Sequence, residues 1–443
     1  MNIQIDSRKV KKGDLFVALK TLNHDGHDYV MDAIKNGASK VIVESGNYPI
    51  ETEVVPDTRE YLARYLKEHY YEKIKHLKLI GMTGTNGKTT TCFCIWQALN
   101  LLGHSCAYIG TIGFYKKEFV KELPNTTPEL LDIYEMLLEC EDMEYVVMEV
   151  SSHALSMKRV EYLPFEIGIF SNLTEDHLDY HKNMEDYAKA KQQLFHQVNY
   201  AVVNLDDPYA SYFLFDQNKN ITYGFQKGDY RISSYRLSNV GSKFTVESHN
   251  EKTSYDTKLL GKHNLMNLVC VLIVLDILKL KKEVISEIRA PRGRMETFTY
   301  HGNLIVLDYA HTPDAEKKVI ETVKEFSKGK IYIVIGCGGD RDPYKRPIMA
   351  KIATDYCDYA IFTNDNPRTE DPKKIFYDMT ASLKNRNYQI IENREKAIET
   401  GIQKCQKNDI LLILGKGHEN YQLIGNVKTH FDDKEMILKY TRS

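Results

Sequence analysis

At 443 residues and 42% hydrophobic content, the chain is long enough for about three domains, each with a real core. Its 59 basic and 61 acidic residues leave a formal net charge of -2, which argues against nucleic acid or a strongly acidic partner. No apolar run approaches the ~20 residues that span a bilayer, so no stable membrane insertion is expected. The segment Met1 to Asp6 lacks the basic and apolar regions of a signal peptide. The eight cysteines are scattered and never clustered with histidine at zinc spacing, which predicts thiols in a reducing, cytoplasmic setting.

Residues 1–76 read as a small α/β unit. Leu15 to Leu19 and Lys40 to Glu44 are short strands, and Tyr29 to Gly37 and Glu60 to Tyr71 are helical. Asp6-Ser7-Arg8 and Asn23-His24-Asp25-Gly26-His27 are polar stretches that read equally as surface turns or as ligand contacts.

Residues 77–297 read as a nucleotide-binding domain. Leu79 to Thr91 runs apolar strand, glycine loop, helix, with the helix from about Thr89 to Leu102. Backbone amides at such a helix start cradle phosphate oxygens, Lys88 adds a positive charge, and Thr89 or Thr90 offers a hydroxyl to magnesium. Met82 stands where the strict phosphate-loop pattern has glycine, so the match is to a shorter form, Gly84-x-x-Gly87-Lys88-Thr89. Cys106 to Thr111 is the next strand. Asn125-Thr126-Thr127 either caps the helix that runs to about Cys140 or holds a ligand's oxygens.

Tyr145 to Val150 is a buried-looking strand that carries Glu149. An acid at a parallel strand's C-terminal end suits metal chemistry, and a core strand avoids it unless it is paired or metal-bound. The strand Ile167 to Leu173 leads into Thr174 to His181, where two histidines and three acids fall within seven residues. Lys191 lies in the following helix among Ala188, Ala190, Leu194 and Phe195. It reads either as a snorkelling surface lysine or as a buried amine. Residues 220–260 look β-rich. Long and short helices are predicted at Leu265 to Leu278 and Lys282 to Ile288.

Residues 298–443 read as a third, alternating domain. Its apolar strands each feed a polar loop: Asp308-Tyr309-Ala310-His311, Cys337 to Asp342, Asn364 to Pro372, and Gly415-Lys416-Gly417-His418-Glu419. That pattern is a parallel sheet with its site at one edge.

Gly84-Thr85-Asn86-Gly87-Lys88-Thr89-Thr90, Glu149-Val150-Ser151-Ser152-His153, Asp176-His177-Leu178-Asp179, Gly261-Lys262-His263-Asn264, Gly293-Arg294 and Asp308-Tyr309-Ala310-His311 occur in this order. By these motifs the chain resembles, over nearly its whole length, the Mur ligase family, the ATP-dependent amino-acid ligases of bacterial peptidoglycan synthesis. That family's phosphate loop is the shorter form. The resemblance implies an α/β, three-domain Mur ligase with a central P-loop ATPase-like parallel-sheet domain and a Rossmann-like C-terminal domain. It also implies a reaction. ATP phosphorylates the D-glutamate side-chain carboxylate of UDP-N-acetylmuramoyl-L-Ala-D-Glu, and an amine attacks the acyl phosphate.

The implied cofactors are ATP and two Mg2+ ions. Gly84, Thr85, Asn86, Gly87, Lys88, Thr89 and Thr90 are expected at the phosphates, and Asn264, Arg294 and Asp308 elsewhere on ATP, with His311 nearby. Thr89, Glu149 and His177 are expected metal ligands, joined by Lys191, which falls where the family carries a carbamylated lysine. Lys88, Glu149, His177 and Lys191 are the expected catalytic set. Ser7, Asn125, Thr126, Thr127, Ser151 and Arg159 are expected on the UDP-linked substrate, with a plain surface arginine as the alternative for Arg159.

Arg341, Asp365, Asn366, Arg368, Gly415 and Glu419 are expected on the incoming amino acid. Asp365-Asn366-Pro367-Arg368 resembles the signature of members that add meso-diaminopimelate, whose distal carboxylate a guanidinium grips bidentately. Arg368 can instead cap a helix or pair with Glu370. Family members usually carry a longer stretch before Asp6-Ser7-Arg8, which leaves the uridine contacts least defined. The rivals are L-lysine addition, a folate-polyglutamate synthetase-like ligase, and a non-catalytic nucleotide-binding regulator. A monomer is expected.

Overall fold

The structure, a computed structural model, describes residues 2–21, 24–176 and 178–442. The chain forms two compact units, Met1–Asp229 and Tyr230–Ser443.

The first unit holds two sheets. One is parallel throughout: β1 (Ile3–Gln4), β2 (Leu15–Val17), β3 (Lys40–Val43) and β4 (Glu51–Val54), in sequence order. Its helices are α1 (Val30–Lys35) and α2 (Thr58–Ile74). Asp57 starts α2 by accepting the amides of Arg59 and Glu60, which explains why the helix begins before the expected Glu60.

The larger sheet contains β5 (Lys78–Thr83), β6 (Cys106–Gly110), β7 (Gly113–Tyr115), β8 (Phe119–Lys121), β9 (Tyr145–Glu149), β10 (Phe165–Phe170), β11 (Tyr200–Asn204) and β12 (Lys219–Gly224). The spatial order is β12-β11-β10-β5-β9-β6-β7-β8, parallel except for the last two strands. The central strands are apolar runs because helices cover both faces. These helices are α3 (Lys88–Leu101), α4 (Leu130–Leu138), α5 (Ser152–Ser156), α6 (Leu178–His181) and α7 (Met184–Gln192). Register puts Met82 opposite Glu149 and Thr83 opposite Phe170, so the loops after β5, β9 and β10 open at one sheet edge.

In the second unit, β13 (Tyr230–Ser238), β14 (Gly241–Ser248) and β15 (Glu251–Thr257) form an antiparallel meander, followed by α8 (Lys262–Ile277). The expected second helix is a 3-10 segment, Glu283–Glu287, without a side-chain cap.

A six-stranded sheet follows, in the order β16-β17-β21-β18-β19-β20. Its strands are β16 (Glu296–Tyr300), β17 (Asn303–Asp308), β18 (Ile331–Ile335), β19 (Tyr359–Phe362), β20 (Tyr388–Ile390) and β21 (Ile410–Leu414). Only β16 runs antiparallel. Helices α9 (Pro313–Lys324), α10 (Lys345–Tyr356), α11 (Pro372–Thr380), α12 (Arg394–Lys404) and α13 (Asp433–Thr441) complete it, with a hairpin of β22 (Tyr421–Ile424) and β23 (Val427–His430). Asp308 pairs with Leu414, and Ile335 with Phe362, so the four polar loops again share an edge. Among the described residues no helix is long and apolar enough to cross a membrane.

A carboxyl lies in the core of the second unit without a partner. Glu316 on α9 is 0% exposed, and both its carboxylate oxygens are buried without a hydrogen-bond partner. Burial holds its carboxyl well above the usual range, so the native state keeps it protonated. The unfolded chain releases that proton above pH ~4.3. The native state does not, so stability falls as pH rises, by up to about 1.4 kcal/mol per pH unit. Glu316→Leu is therefore expected to stabilise the protein, with a larger gain at pH 7 than at pH 5 in urea melts. Equal gains at both pH values contradict a protonated Glu316.

Candidate active site

The phosphate-type loop follows from where glycine is unavoidable. Gly84 has φ +146°, and a Cβ there would lie 2.0 Å from Ser171 Oγ. Gly87 (φ +91°) precedes α3, whose N-terminus has no side-chain cap, so its first amides face outward for an anion. The strand-end loop after β10 braces the turn. Thr85 N–H donates to Asn172 O (2.8 Å), Asn86 N–H to Asn172 Oδ1 (3.0 Å), and Ser171 Oγ to Asn86 O (2.7 Å). Lys88 curls back, its Nζ donating to Gly84 O (2.8 Å) and Thr85 O (3.0 Å).

Glu149 ends β9 at 1% exposure, and its carboxylate is fully engaged. Oε2 accepts from Thr89 Oγ1 (2.9 Å) and Thr111 Oγ1 (3.1 Å). Oε1 accepts from Tyr108 OH (2.5 Å) and the Thr111 amide (2.9 Å). A Cβ on Gly110 would lie 2.3 Å from Glu149 Oε1, so only glycine fits beside it. Thr126 Oγ1 meets Thr111 Oγ1 at 3.0 Å. Thr127 Oγ1 donates to Glu149 O (2.8 Å) and accepts from the Ser151 amide (3.0 Å).

The capping role open to Asn125-Thr126-Thr127 is thereby excluded. α4 starts after Glu129 with no side-chain cap, Asn125 is exposed, and both threonine hydroxyls serve the Glu149 cluster. The donor set suits Mg2+, which binds through one or two carboxylates together with hydroxyl, phosphate and water oxygens. Among the described residues no group of three His, Cys, Asp or Glu forms a ready metal site, and His177 lies outside them.

Lys191 on α7 is 1% exposed, so the snorkelling alternative fails. Its Nζ donates to Gly84 O (2.9 Å) and sits 4.5 Å above the Tyr187 ring. Gly84 O thus receives both Lys88 and Lys191, and two ammonium groups on one carbonyl repel. Burial first, and Lys88 second, push the Lys191 amine well below its ordinary pKa.

Arg159 is no plain surface arginine. Its Nη2 pairs with Glu129 Oε1 (2.8 Å) and its Nη1 donates to Thr127 O (3.1 Å). Glu129 Oε2 takes Arg59 Nη1 at 2.9 Å, so one carboxylate lies between two guanidinium groups. Ser7 is buried in a 3-10 turn. It lines a cavity of about 630 Å³ with Arg8, His24, Tyr29 and Asp132, so both polar N-terminal stretches face a cleft. Asn23 lies outside the described residues.

In the second unit, Asn264 Nδ2 donates to Leu260 O and its Oδ1 accepts from Asn267 Nδ2. The Arg294 guanidinium stacks 4.9 Å from the Tyr309 ring. Asp308 is a brace: its oxygens accept the Met295 amide (2.7 Å) and the Ala310 amide (2.8 Å). His311 is exposed, its Nδ1 2.8 Å from Tyr309 O.

The loops after β18, β19 and β21 bring Arg341, Asp365, Asn366, Arg368, Gly415 and Glu419 together. Arg368 has φ +53°, and its Nη1 donates to Gly339 O (2.7 Å). Gly338 lies between Arg341 and Arg368, where a Cβ would meet Arg368 Nη1 at 2.9 Å and Arg341 Cγ at 3.8 Å. Glu370 does not pair with Arg368. It is held by Arg346 Nη1 and Nη2 at 2.9 and 2.8 Å. Asn366 Nδ2 donates to Glu419 Oε2 (2.9 Å), and a Cβ on Gly415 would lie 2.7 Å from Asp365 Oδ2.

Family profiles match along the chain: the Mur ligase family catalytic domain over residues 1–75, the Mur ligase middle domain over 82–275, and the Mur ligase glutamate ligase domain over 293–417. The chain belongs to the Mur ligase family. It is 39% identical to the UDP-N-acetylmuramoyl-L-alanyl-D-glutamate--2,6-diaminopimelate ligase of Clostridium botulinum, over 98% of this chain and 94% of the relative. It is 41% identical to the enzyme of the same name from Fusobacterium nucleatum, over 98% and 92%. A solved structure of a ligase with that name superposes with a TM-score of 0.74 at 34% identity, covering 99% of this chain and 94% of that one.

This Mur ligase carries site neighbours that its motifs did not single out. Tyr108 and Thr111 hold Glu149, yet a tyrosine in an apolar strand reads as core. Lys416 is 0% exposed between two glycines and reads as loop. Arg59 lies 70 residues before Glu129, and nothing local marks the pairing.

Proposed function

We propose that this chain joins meso-2,6-diaminopimelate to the D-glutamate γ-carboxylate of UDP-N-acetylmuramoyl-L-Ala-D-Glu at the expense of ATP, in peptidoglycan precursor synthesis. The observation that carries the reading is the cluster of Arg368 and Arg341 with Asp365, Asn366 and Glu419. It offers cations for two carboxylates and acids for a distal ammonium, which is the charge pattern of diaminopimelate. The names of the relatives point the same way.

We read residues 1–76 as the UDP-substrate domain, 77–297 as the ATP domain and 298–443 as the amino-acid domain. Lys88 and the amides of Gly84 to Thr90 hold the β- and γ-phosphates. Asn264, Arg294 and Asp308 shape the remainder of the ATP site. Ser7, Asn125, Thr126, Thr127, Ser151 and Arg159 orient the UDP-linked dipeptide. Thr89 and Glu149 would hold one magnesium ion. His177 and Lys191, the latter as a carbamate, would serve a second. When bound, these ions neutralise charge on the phosphates and the reacting carboxylate. The γ-phosphoryl group passes to the D-glutamate carboxylate. Arg368 and its neighbours align the acceptor amine, which displaces phosphate to form the amide.

The test is phosphate release and product mass with magnesium, ATP and the UDP-linked dipeptide, comparing meso-diaminopimelate with L-lysine. Strong preference for diaminopimelate is expected, and preference for lysine overturns the acceptor assignment. Arg368→Ala is expected to lower kcat/KM for diaminopimelate by about 30- to 150-fold, or ~2–3 kcal/mol, as a lost charged contact requires. A loss that falls equally on the KM of ATP contradicts the assignment.

A further inference from the structure

We infer that Lys416 is a positioning residue for the acceptor amino acid, acting through Glu419 and Asn366; the inference rests on the ligase reading above. Lys416 is the first residue after the glycine that ends β21, and its side chain is 0% exposed. Its Nζ lies 3.2 Å from Asn366 Oδ1 and 3.2 Å from Glu419 Oε2. Asn366 closes the triangle by donating to the same Glu419 oxygen at 2.9 Å. Asn366 Oδ1 also accepts the Leu423 amide (2.9 Å), and Gln422 Nε2 donates to Asp365 O (2.8 Å). One buried ammonium therefore fastens the loop after β19 to the loop after β21.

A buried charge needs a partner, so the arrangement is self-enforcing: Lys416 fixes the Glu419 carboxylate and the sense of the Asn366 amide together. It also balances the Glu419 charge. Without it, Glu419 is an uncompensated anion held only by Asn366 Nδ2, and Asn366 Oδ1 keeps only the Leu423 amide. Both changes misplace the acid and the amide read above as facing the acceptor's distal ammonium. Phosphate binding and the first phosphoryl transfer involve none of these contacts.

The experiment is steady-state kinetics of the full chain. Lys416→Met is expected to raise KM for meso-diaminopimelate by about tenfold or more while leaving KM for ATP and the UDP-linked dipeptide within about twofold. Lys416→Arg, which keeps the charge, is expected to recover to within about fivefold of wild type. On a Glu419→Gln background, Lys416→Met is expected to add less than about twofold, because the lysine acts through that carboxylate.

An unchanged acceptor KM in folded Lys416→Met overturns the inference, as does an equal rise in all three KM values. If Lys416→Met fails to fold by circular dichroism, Lys416→Gln, which removes the charge but keeps a polar end, decides. A selective acceptor KM rise there supports the inference, and wild-type values for all three substrates overturn it. Wild-type turnover separates this inference from the reading beneath it. No turnover with diaminopimelate overturns both, whereas normal turnover with an unaffected lysine variant overturns only the positioning role.

Discussion

Lys191→Ala is expected to lower kcat by about 10²–10³-fold, and millimolar formate or acetate is expected to restore part of the loss. The magnitude is that of removing one preorganised charged group from a phosphoryl- or acyl-transfer site, ~3–4 kcal/mol. The direction of rescue follows from the chemistry of the side chain. Lys191 is 1% exposed, and burial together with Lys88 holds its amine well below the ordinary lysine pKa. On the reading proposed above, a neutral amine adds to carbon dioxide, forming an N–C bond and releasing a proton, and the would-be cation would become a carbamate anion. The repulsion from Lys88 across Gly84 O would then become attraction.

Alanine removes the anion but leaves a space in which a small carboxylate can replace it. If Lys191 acts as an ammonium, formate and acetate restore nothing and an added amine does. Intact-mass measurement under bicarbonate offers a second check: one carbamate is expected in wild type and none in the alanine variant. Lys88→Ala serves as the contrast: Lys88 is half-exposed and is read above as a cation at the phosphates, so carboxylates are expected to leave that variant inactive.

Buried polar positions were legible in the sequence where a residue type violates its local pattern. Lys191 in an apolar helix face and Glu149 at the end of a buried strand are both costly unless something pairs with them, and both lie in the cluster at one sheet edge. The phosphate loop was legible because glycine, lysine and threonine at fixed spacing have few other uses. Partners far apart in the chain were not legible. Tyr108 reaches Glu149 across neighbouring strands, and Arg59 reaches Glu129 from another sheet's helix.

Of the two readings open for Thr127, the cap fails for a long-range reason. Threonine before a helix is the usual cap, but here its hydroxyl goes to Glu149 O and the Ser151 amide. Arg368 was read for its charge, whereas its left-handed backbone is set by long-range contacts. Its amide donates to Leu423 O (3.0 Å) and its carbonyl accepts the Gly425 amide (2.6 Å), so the β22–β23 hairpin grips the loop. Asp308 was read as a ligand contact, and its carboxylate is spent on two backbone amides.

The largest stability effect is expected at Arg394 and Asp433. Both side chains are 0% exposed, and the guanidinium grips the carboxylate through Nε and Nη2, each at 2.7 Å. Removing one partner leaves an uncompensated buried charge. Arg394→Met and Asp433→Leu are therefore each expected to cost about 3–5 kcal/mol. The double variant is expected to cost less than either single change, because it buries no charge. Urea unfolding of the four proteins gives the cycle. Single losses below about 1 kcal/mol contradict the description of a dry pair.

The pair also reaches the candidate site. Arg394 Nη2 donates to Leu414 O at 2.9 Å and Nη1 to Asn364 O at 3.4 Å. Those carbonyls immediately precede Gly415 and Asp365, near the starts of the two loops fastened by Lys416. Asp433 opens α13, so the C-terminal helix is bound to the strand ends that carry the amino-acid site. A stable double variant should thus keep its fold yet lose the donor that fixes both loop starts. A selective rise in acceptor KM is expected there, with the KM of ATP unchanged. If the double variant binds the acceptor normally, the buried pair serves stability alone and the loops hold their own geometry.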